Sequence, residues 1–195
     1  MKRAVASVAS GCMVCGASAQ SLSVHLSFDA SDAAMGEIVT ASLIAEFDGF
    51  GPNQYFSDVY IDLIASTSDV YEVIDVAPVM WNNPGLGFNG QGVASGSDVL
   101  DIRASQFHLI PPVDFSNPIV ITTFSLKRVG TGSVIYSAQV AADLPYMFAP
   151  SITPFGDVFT YNDEVFTSDT LLGTPSPGVL GVFGAGCALA SRRRR

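Results

Sequence analysis

The feature that most restricts the fold of this 195-residue chain is a strict alternation of apolar and polar residues. In Ser21–Phe28 every second residue is leucine, valine or phenylalanine, with serine or histidine between them. The pattern returns in Glu37–Phe47 and in Ser57–Ala65, and Val70–Val76 and Asp98–Ala104 are predicted as further strands. Because successive side chains of a strand point to opposite faces, this period predicts half-buried β-strands. With no amphipathic helix of useful length, the chain is predicted to be all-β, an antiparallel β-sandwich.

The second half of the body predicts two hairpins and one long loop. Pro118–Arg128 is β-branched and apolar, and a glycine-containing turn joins it to Ser133–Ala141, which we expect to pair with it. Asp157–Tyr161 and Glu164–Thr167 flank an Asn-Asp pair that favours a second turn. Asn82–Gly96 is rich in glycine and asparagine, so we expect it to be irregular, as a functional loop or a flap.

The amino terminus has the composition of an export signal. Two basic residues precede an apolar run, Ala4–Cys15, and Ala17 and Ala19 form an A-x-A-type cleavage site. We therefore expect signal peptidase to remove residues 1–19. Attachment of a lipid at Cys12, after the small residues that precede it, is the alternative.

The carboxyl terminus, residues 173–195, has three successive parts. Thr174–Gly178 is polar and contains two prolines, Val179–Ala190 is apolar, and Arg192–Arg195 is basic. The apolar part is shorter than the ~20 residues that a helix needs to cross the hydrocarbon core, and terminal arginines hold that end on the cytoplasmic side. The tail is therefore predicted to halt the chain in the membrane while its bulk lies outside; an uncleaved anchor is the alternative. The residues predicted to direct sorting are Pro175, Ser176, Pro177, Gly178, Arg192, Arg193, Arg194 and Arg195.

This tail resembles that of the PEP-CTERM family of bacterial surface proteins, in which a Pro-Glu-Pro-like motif precedes an apolar stretch and an arginine-rich end. Here Pro175 and Pro177 flank Ser176, which stands in place of the glutamate, and Gly178 follows. The resemblance implies a transient inner-membrane intermediate and cleavage near the motif by an exosortase-like membrane protease. It also implies delivery to the cell surface or extracellular matrix, and it concerns sorting only.

Charge limits the partners of the segment between the two signals. Six of the nine basic residues lie in those signals, and the three that remain are Arg103, Lys127 and Arg128. Against eighteen acidic residues they leave a formal charge of −15, which repels nucleic-acid phosphates and anionic lipid headgroups. We therefore expect no nucleic-acid partner. The three cysteines also lie in the signals, so the domain, residues 20–172, is predicted to fold by its core without a disulfide.

A second resemblance concerns the body, roughly Ser21–Ala141. Gly36–Thr40 leading into a strand, followed by Val70–Ile74, looks like the opening of cohesin-type β-sandwiches. Pro118–Leu126, with two glycines after it, looks like the later strand pair of that fold. The resemblance implies a cohesin-like or jelly-roll-like sandwich and a non-catalytic module that holds other proteins or takes part in surface assemblies. It assigns no binding residue.

Motifs for catalysis are absent from the sequence. It contains no H-x-x-x-H pair, no cysteine cluster, no G-x-S-x-G and no phosphate-binding glycine loop. We therefore predict no catalytic residue and no cofactor, with a hydrolase of dispersed carboxylates as the alternative. His25 is expected to be an exposed spacer on the polar face of its strand. His108 is expected in a loop, where it could accept a hydrogen bond or bind a metal.

The densest acidic cluster gives the one metal hypothesis. Asp157, Asp163, Glu164 and Asp169 lie close together in the sequence, and calcium takes several oxygen ligands from loops. No D-x-[DN]-x-[DN]-G loop accompanies them. A solvated acidic edge that deters sheet-to-sheet aggregation is therefore the favoured interpretation, and calcium is the alternative.

An aromatic residue gives a second binding hypothesis. Trp81 precedes two asparagines and the glycine-rich stretch, an arrangement that can stack on and hydrogen-bond to sugars. The favoured interpretation is that Trp81 closes the end of the core. As a whole, the sequence predicts an exported, surface-sorted, non-enzymatic β-sandwich that is a structural or interaction component of the envelope or extracellular matrix. A polysaccharide-binding module that uses Trp81 is the alternative function.

Overall fold

The computed structural model describes residues 20–51, 53–79, 81, 90–107, 109–110, 113–141, 145–152 and 158–173. Within those ranges the chain is built from β-strands, together with one turn of 3₁₀ helix at Asp163–Val165. The strands are β1 Ser21–Phe28, β2 Ile38–Asp48, β3 Gln54–Ala65, β4 Tyr71–Val76, β5 Gly90–Ser95, β6 Asp98–Ser105, β7 Ile119–Arg128, β8 Gly132–Val134, β9 Tyr136–Val140, β10 Phe148–Ile152, β11 Phe166–Ser168 and β12 Leu171–Gly173.

The strands form a two-layered sandwich. The first sheet has the strand order β11-β1-β2-β7-β4, and the second has the order β10-β3-β6-β5, with β9 also pairing with β3. A two-stranded sheet, β12-β8, completes the arrangement. One cluster of buried side chains draws on both large sheets and includes Val24, Leu43 and Leu126 from the first and Ile61 and Ile102 from the second. The prediction of an all-β sandwich is therefore confirmed.

The alternating segments form strands because one face of each covers this core. In β1 the residues Leu22, Val24 and Leu26 are buried, whereas the serines between them are exposed or half-buried. β1 pairs antiparallel with β2 over its full length, from Ser21 opposite Asp48 to Phe28 opposite Ala41. Burying apolar side chains stabilises the fold by about 25 cal/mol per Å² of apolar surface removed from water. This burial fixes the strand register, because a slip of one residue would expose all of these side chains.

The predicted pairing of Pro118–Arg128 with Ser133–Ala141 is wrong. β7 instead pairs antiparallel with β2 and β4 in the first sheet, and β9 pairs with β3 in the second. The connection at Gly130 crosses from one sheet to the other, and the amides of Val129 and Gly130 both donate to the carbonyl of Val70. A Cβ atom on Gly130 would lie 1.8 Å from the carbonyl oxygen of Asp69, so this crossing requires glycine.

The second predicted hairpin, around Asn162-Asp163, is wrong as well. Asp163 begins the 3₁₀ turn, and the strand after it, β11, pairs in parallel with β1, with Val24 opposite Phe166. Tyr161 bridges to Phe148 beside β10. The chain therefore passes from the second sheet to the first at this point, because each flanking segment extends a different sheet.

Part of the glycine-rich stretch 82–96 is regular, contrary to expectation. Residues 82–89 lie outside the described residues, but β5 pairs antiparallel with β6, from Gly90 opposite Arg103 to Ser95 opposite Asp98. Gly92 adopts φ +97°, and a Cβ atom there would lie 2.9 Å from a methyl group of Val99. Glycine at this position lets β5 pack closely against the core. From its composition alone, the same segment is predicted to be a loop.

The first and last described strands of the chain begin and end at different ends of the sandwich. At one end, here called the amino end, β1 begins opposite the last residue of β2, and β7 begins opposite Ala45. At the other, the carboxyl end, Gly173 pairs with Gly132. There the buried Arg128 donates from Nη1 to the carbonyl of Ala33 and from Nε to the carbonyl of Gly130. The described chain therefore starts and stops at opposite ends of the sandwich.

Candidate functional site

The outer face of the second sheet carries an unusual concentration of polar side chains on its long strand β3. Val59, Ile61 and Leu63 belong to the buried core. Because side chains alternate along a strand, Asp58 and Asp62 point to the opposite, outer face. The sequence predicted this polar face of the strand. It did not predict that part of the face is buried.

Asp58 lies at the centre of a hydroxyl cluster, which we call the Asp58 cluster and which comprises Ser57, Asp58, Tyr60 and Ser105. The carboxylate Oδ1 accepts from the hydroxyl of Ser105 at 2.5 Å and from that of Tyr60 at 3.0 Å. The hydroxyl of Ser57 lies 2.7 Å from Oδ2 and 2.8 Å from the carbonyl oxygen of Ala149. The hydroxyls of Tyr60 and Ser105 are themselves 2.6 Å apart. β3, β6 and β10 thus meet at one carboxylate.

Burial changes the acidity of this cluster. Desolvation raises the pKa of Asp58 above its ordinary value, and the hydrogen bonds from its three hydroxyl neighbours act in the opposite direction without cancelling it. Burial also raises the pKa values of Tyr60 and of Tyr146, and the nearby Asp58 charge adds to both. The ring of Tyr146 meets that of Tyr60 edge-on, with centroids 5.4 Å apart, and so covers the middle of the strand.

Beside the cluster, a β-bulge shapes the charged part of the face. The pairing of β3 with β6 shifts between Ile61 and Leu63, and Asp101 adopts φ +62°, the left-handed region. The carboxylate of Asp62 accepts the Asp101 amide at 2.7 Å, which stabilises this strained backbone. The carboxylate of Asp101 in turn forms an ion pair with Arg103, whose side chain is 34% exposed.

This arrangement suits recognition better than catalysis. The Asp58 carboxylate accepts hydrogen bonds from three internal hydroxyl groups. The partly exposed acid–base pair of Asp101 and Arg103 stands on a rigid strand with buried aromatic rings beside it. Rigid aromatic and arginine side chains are the groups that carry binding energy at protein interfaces.

The predicted metal cluster is only partly described. Asp157 lies outside the described residues, whereas Asp163 and Glu164 are exposed in the 3₁₀ turn. The carboxylate of Glu164 accepts the Asn162 amide at 3.2 Å. Among the residues described by the structure, no group of three histidine, cysteine, aspartate or glutamate side chains could hold a metal ion. Calcium binding stays a prediction.

The fourth calcium candidate, Asp169, belongs to a polar cluster that the sequence did not reveal. Its carboxylate lies 3.4 Å from Nε2 of His25, and Nδ1 of His25 is 2.9 Å from the hydroxyl of Thr167. We call these three residues the His25 clip. It links β1 to β11 and the chain just beyond it, and its members are largely exposed, which agrees with the expected exposure of His25. His25 lies 142 positions from Thr167 in the sequence, and the parallel pairing of β1 with β11 brings the two together.

Trp81 is placed within the core. Its side chain is only 5% exposed, its ring meets that of Phe56 edge-on at 5.8 Å, and its indole N–H donates to the carbonyl of Val120 at 3.3 Å. A groove of about 420 Å³ borders it and is lined by Ala77 and Pro118 among others. The geometry favours the interpretation in which Trp81 closes the end of the core.

The residues predicted to direct export and sorting lie outside the described residues, and they are Ala17, Ala19, Pro175, Ser176, Pro177, Gly178, Arg192, Arg193, Arg194 and Arg195. His108 and the asparagines after Trp81 lie outside them as well. In the described part of the chain, no helix is both long and apolar enough to span a membrane.

Comparison with known proteins identifies the fold class. No protein-family profile matches the chain, and no curated protein matches it either. Solved structures do match, and cohesin modules are among them. A type II cohesin domain from the cellulosome of Acetivibrio cellulolyticus aligns with a TM-score of 0.50 and 13% identity over 77% of this chain and 94% of its own.

A second neighbour comes from the same organism. The second type II cohesin module of its cellulosomal adaptor scaffoldin aligns with a TM-score of 0.51 and 11% identity, over 79% of this chain and 98% of the module. A form of that module with a long C-terminal linker gives a TM-score of 0.52 and 11% identity, over 80% of this chain and 92% of its own. The chain therefore has the fold of the cohesin β-sandwiches, as its sequence resemblance implied.

Proposed function

We propose that this protein is an exported, surface-sorted, non-enzymatic β-sandwich that binds another protein in the cell envelope or extracellular matrix. The observation that carries the proposal is the polar outer face of the second sheet, where a buried hydroxyl cluster holds a partly exposed Asp101–Arg103 pair in place. The cohesin-like fold supports it, since two of the similar structures are modules of an adaptor scaffoldin.

The Asp101–Arg103 pair suits a protein partner because its components are held in place before binding. Asp62 fixes the bulge, and the Asp58 cluster fixes the ends of β3 and β6. A side chain that is already ordered loses less conformational entropy when it binds. The face offers a carboxylate and a guanidinium side by side, so it fits a partner surface with the complementary pair of charges.

Delivery to the surface is the second part of the proposal. Signal peptidase cuts after Ala19, the apolar segment halts in the inner membrane, and an exosortase-like protease cuts near Pro175–Gly178. Support comes from the residue pattern of both signals and from the position of the sandwich between them, with β1 beginning at Ser21 and β12 ending at Gly173.

Intact mass of the protein from membrane and extracellular fractions of its native cells tests the sorting. We expect a species that begins at Gln20 and ends between Pro175 and Gly178, with any added anchor visible as extra mass. A species that still ends at Arg195 would show a permanent anchor and would contradict the sorting proposal.

Retention on the cell surface tests the binding face. Arg103→Gln keeps hydrogen-bonding capacity and removes the charge, so we expect it to lower the surface-retained fraction about tenfold. Lys127→Gln, which removes an exposed cation from the first sheet, is the matched control and should change nothing. Equal retention of all three proteins would refute this binding face. Hydrolysis of any glycan by the wild type would refute the non-enzymatic assignment.

A further inference from the structure

A second contact region lies at the amino end of the sandwich, on the connection between β6 and β7. We give the name Gln106 loop to its described residues, which are 106–107, 109–110 and 113–115. Its described residues include large apolar side chains that are exposed in a monomer: Phe107 by 39%, Leu109 by 57%, Ile110 by 37% and Phe115 by 49%. Exposed apolar side chains concentrated on one short segment mark a surface that another molecule covers.

Both stems of the loop are tied to the sandwich by hydrogen bonds of one buried side chain. Gln106 is 2% exposed, and its Nε2 donates to the carbonyls of Phe56 at 2.6 Å and Asp114 at 3.1 Å. Its Oε1 accepts the Asp114 amide at 2.7 Å. One buried side chain thus joins both stems of the loop to β3. Within the loop, the amide of Ile110 donates to the carbonyl of Phe107.

The Gln106 loop and Gly173, the last described residue, lie at different ends of the sandwich. The Asn117 side chain ties the start of β7 to Phe47, near the end of β2, so the loop belongs to the amino end. Gly173 leaves the sandwich at the carboxyl end. The loop and Gly173 therefore lie at opposite ends of the sandwich, so an attachment made through the residues after Gly173 leaves the loop accessible to other surface proteins.

Charge indicates the kind of partner. Near the loop are the carboxylates of Asp114 and, at the end of β2, Glu46 and Asp48. Of the three basic residues of the described chain, Lys127 and Arg128 lie at the carboxyl end, and Arg103, on β6, is paired with Asp101. A second copy would bring the same acidic rim, and an anionic membrane would repel it. A partner with an apolar cleft and a basic rim is complementary in both respects.

We propose that the Gln106 loop is a docking tip for a protein whose apolar cleft is rimmed by lysine or arginine. The proposal rests on the proposed function, because it assumes a protein that binds other surface proteins. It adds a contact region distinct from the Asp101–Arg103 face and defines the chemistry of the partner.

The experiment uses protein purified from its native cells and a labelled amphipathic peptide of leucine and lysine as the probe. Two control peptides replace every leucine with serine or every lysine with glutamate. Fluorescence anisotropy should show binding of the leucine–lysine peptide, weakened by added salt, and binding of each control peptide at least tenfold weaker. The serine control separates docking from simple attraction between a cation and an acidic protein.

Variants locate the site. Leu109→Ser combined with Phe115→Ser should weaken peptide binding about tenfold. Val129→Ser combined with Ile135→Ser, which alters two similarly exposed apolar residues away from the loop, should leave it unchanged. Circular dichroism checks that both variants keep the β-sandwich. Binding that survives the loop variant overturns the proposal.

Other outcomes separate this proposal from the proposed function. If Asp62→Asn, which retains an acceptor for the Asp101 amide, abolishes peptide binding and the loop variant does not, the docking tip is refuted while the outer face stands. Sedimentation that shows a dimer lost in the loop variant would make a second copy the occupant and overturn the proposal. Flotation with phosphatidylcholine vesicles that depends on the loop would overturn it in favour of lipid.

Discussion

The two outer faces of the sandwich each carry a polar cluster that joins strands, and the two clusters are built differently. In the Asp58 cluster on the second sheet, the hydroxyl-bearing residues Ser105 and Tyr60 are only 2% and 3% exposed, and Asp58 itself is half-buried. The His25 clip on the first sheet is open, with the side chains of His25 and Asp169 exposed by 40% and 55%. Hydrogen bonds in a low-dielectric site are stronger, and their loss leaves groups without water to replace them. We therefore expect the Asp58 cluster to hold its strands more rigidly than the His25 clip does.

The largest effect should come from Asp58→Ala. The change removes the acceptor shared by three buried hydroxyls and leaves a small cavity, so we expect the free energy of unfolding to fall by about 2–4 kcal/mol. Denaturation in guanidinium chloride measures it. Asp75→Ala, on an exposed position of β4, is the matched control and should change stability by less than about 0.5 kcal/mol. Similar values for both variants would show that the Asp58 carboxylate contributes no more to stability than an exposed carboxylate does.

A smaller effect is expected from pH. The pKa of Asp58 is raised by burial, so the folded state holds its proton more tightly than the unfolded state. The contribution of this group is therefore fully present below its unfolded pKa, near 3.8, and is lost as the pH rises through its higher folded pKa. The stability of the wild type relative to Asp58→Asn should fall as the pH increases from 3 towards 7. A difference that stays constant or rises would show that the hydrogen bonds outweigh desolvation.

Asp62→Ala tests the charged part of the same face. It removes the acceptor of the Asp101 amide while Asp101 keeps its left-handed backbone, so we expect a loss of about 1 kcal/mol. Asp62→Asn retains an acceptor and should lose less than half of that. Chemical denaturation of both variants measures the difference. If the asparagine variant is as unstable as the alanine variant, charge matters here and not the hydrogen bond.

The strands can be predicted from the sequence more readily than the contacts between them. Alternation predicts β1, β2 and β3, and with them the all-β class, because a period of two is a local property of the chain. It places Asp58 on an outer face, but the cluster depends on Ser105, 47 positions away, and on Tyr146, which returns from a later segment. The same limit explains the wrong hairpin between Pro118–Arg128 and Ser133–Ala141: two apolar segments joined by glycine look alike whether they pair or face each other across the core.

The smallest effect should come from His25→Ala on the open face. The hydrogen bond to Thr167 and the ion pair with Asp169 are both in contact with water, which replaces them at little loss. We expect the free energy of unfolding to change by less than about 0.5 kcal/mol, measured beside Asp58→Ala under identical conditions. A loss above about 1 kcal/mol would break the comparison, because an exposed cluster would then hold β11 and the final strand as firmly as the buried cluster holds β3. In that case the first face, to which β1 and β11 belong, would be the rigid one.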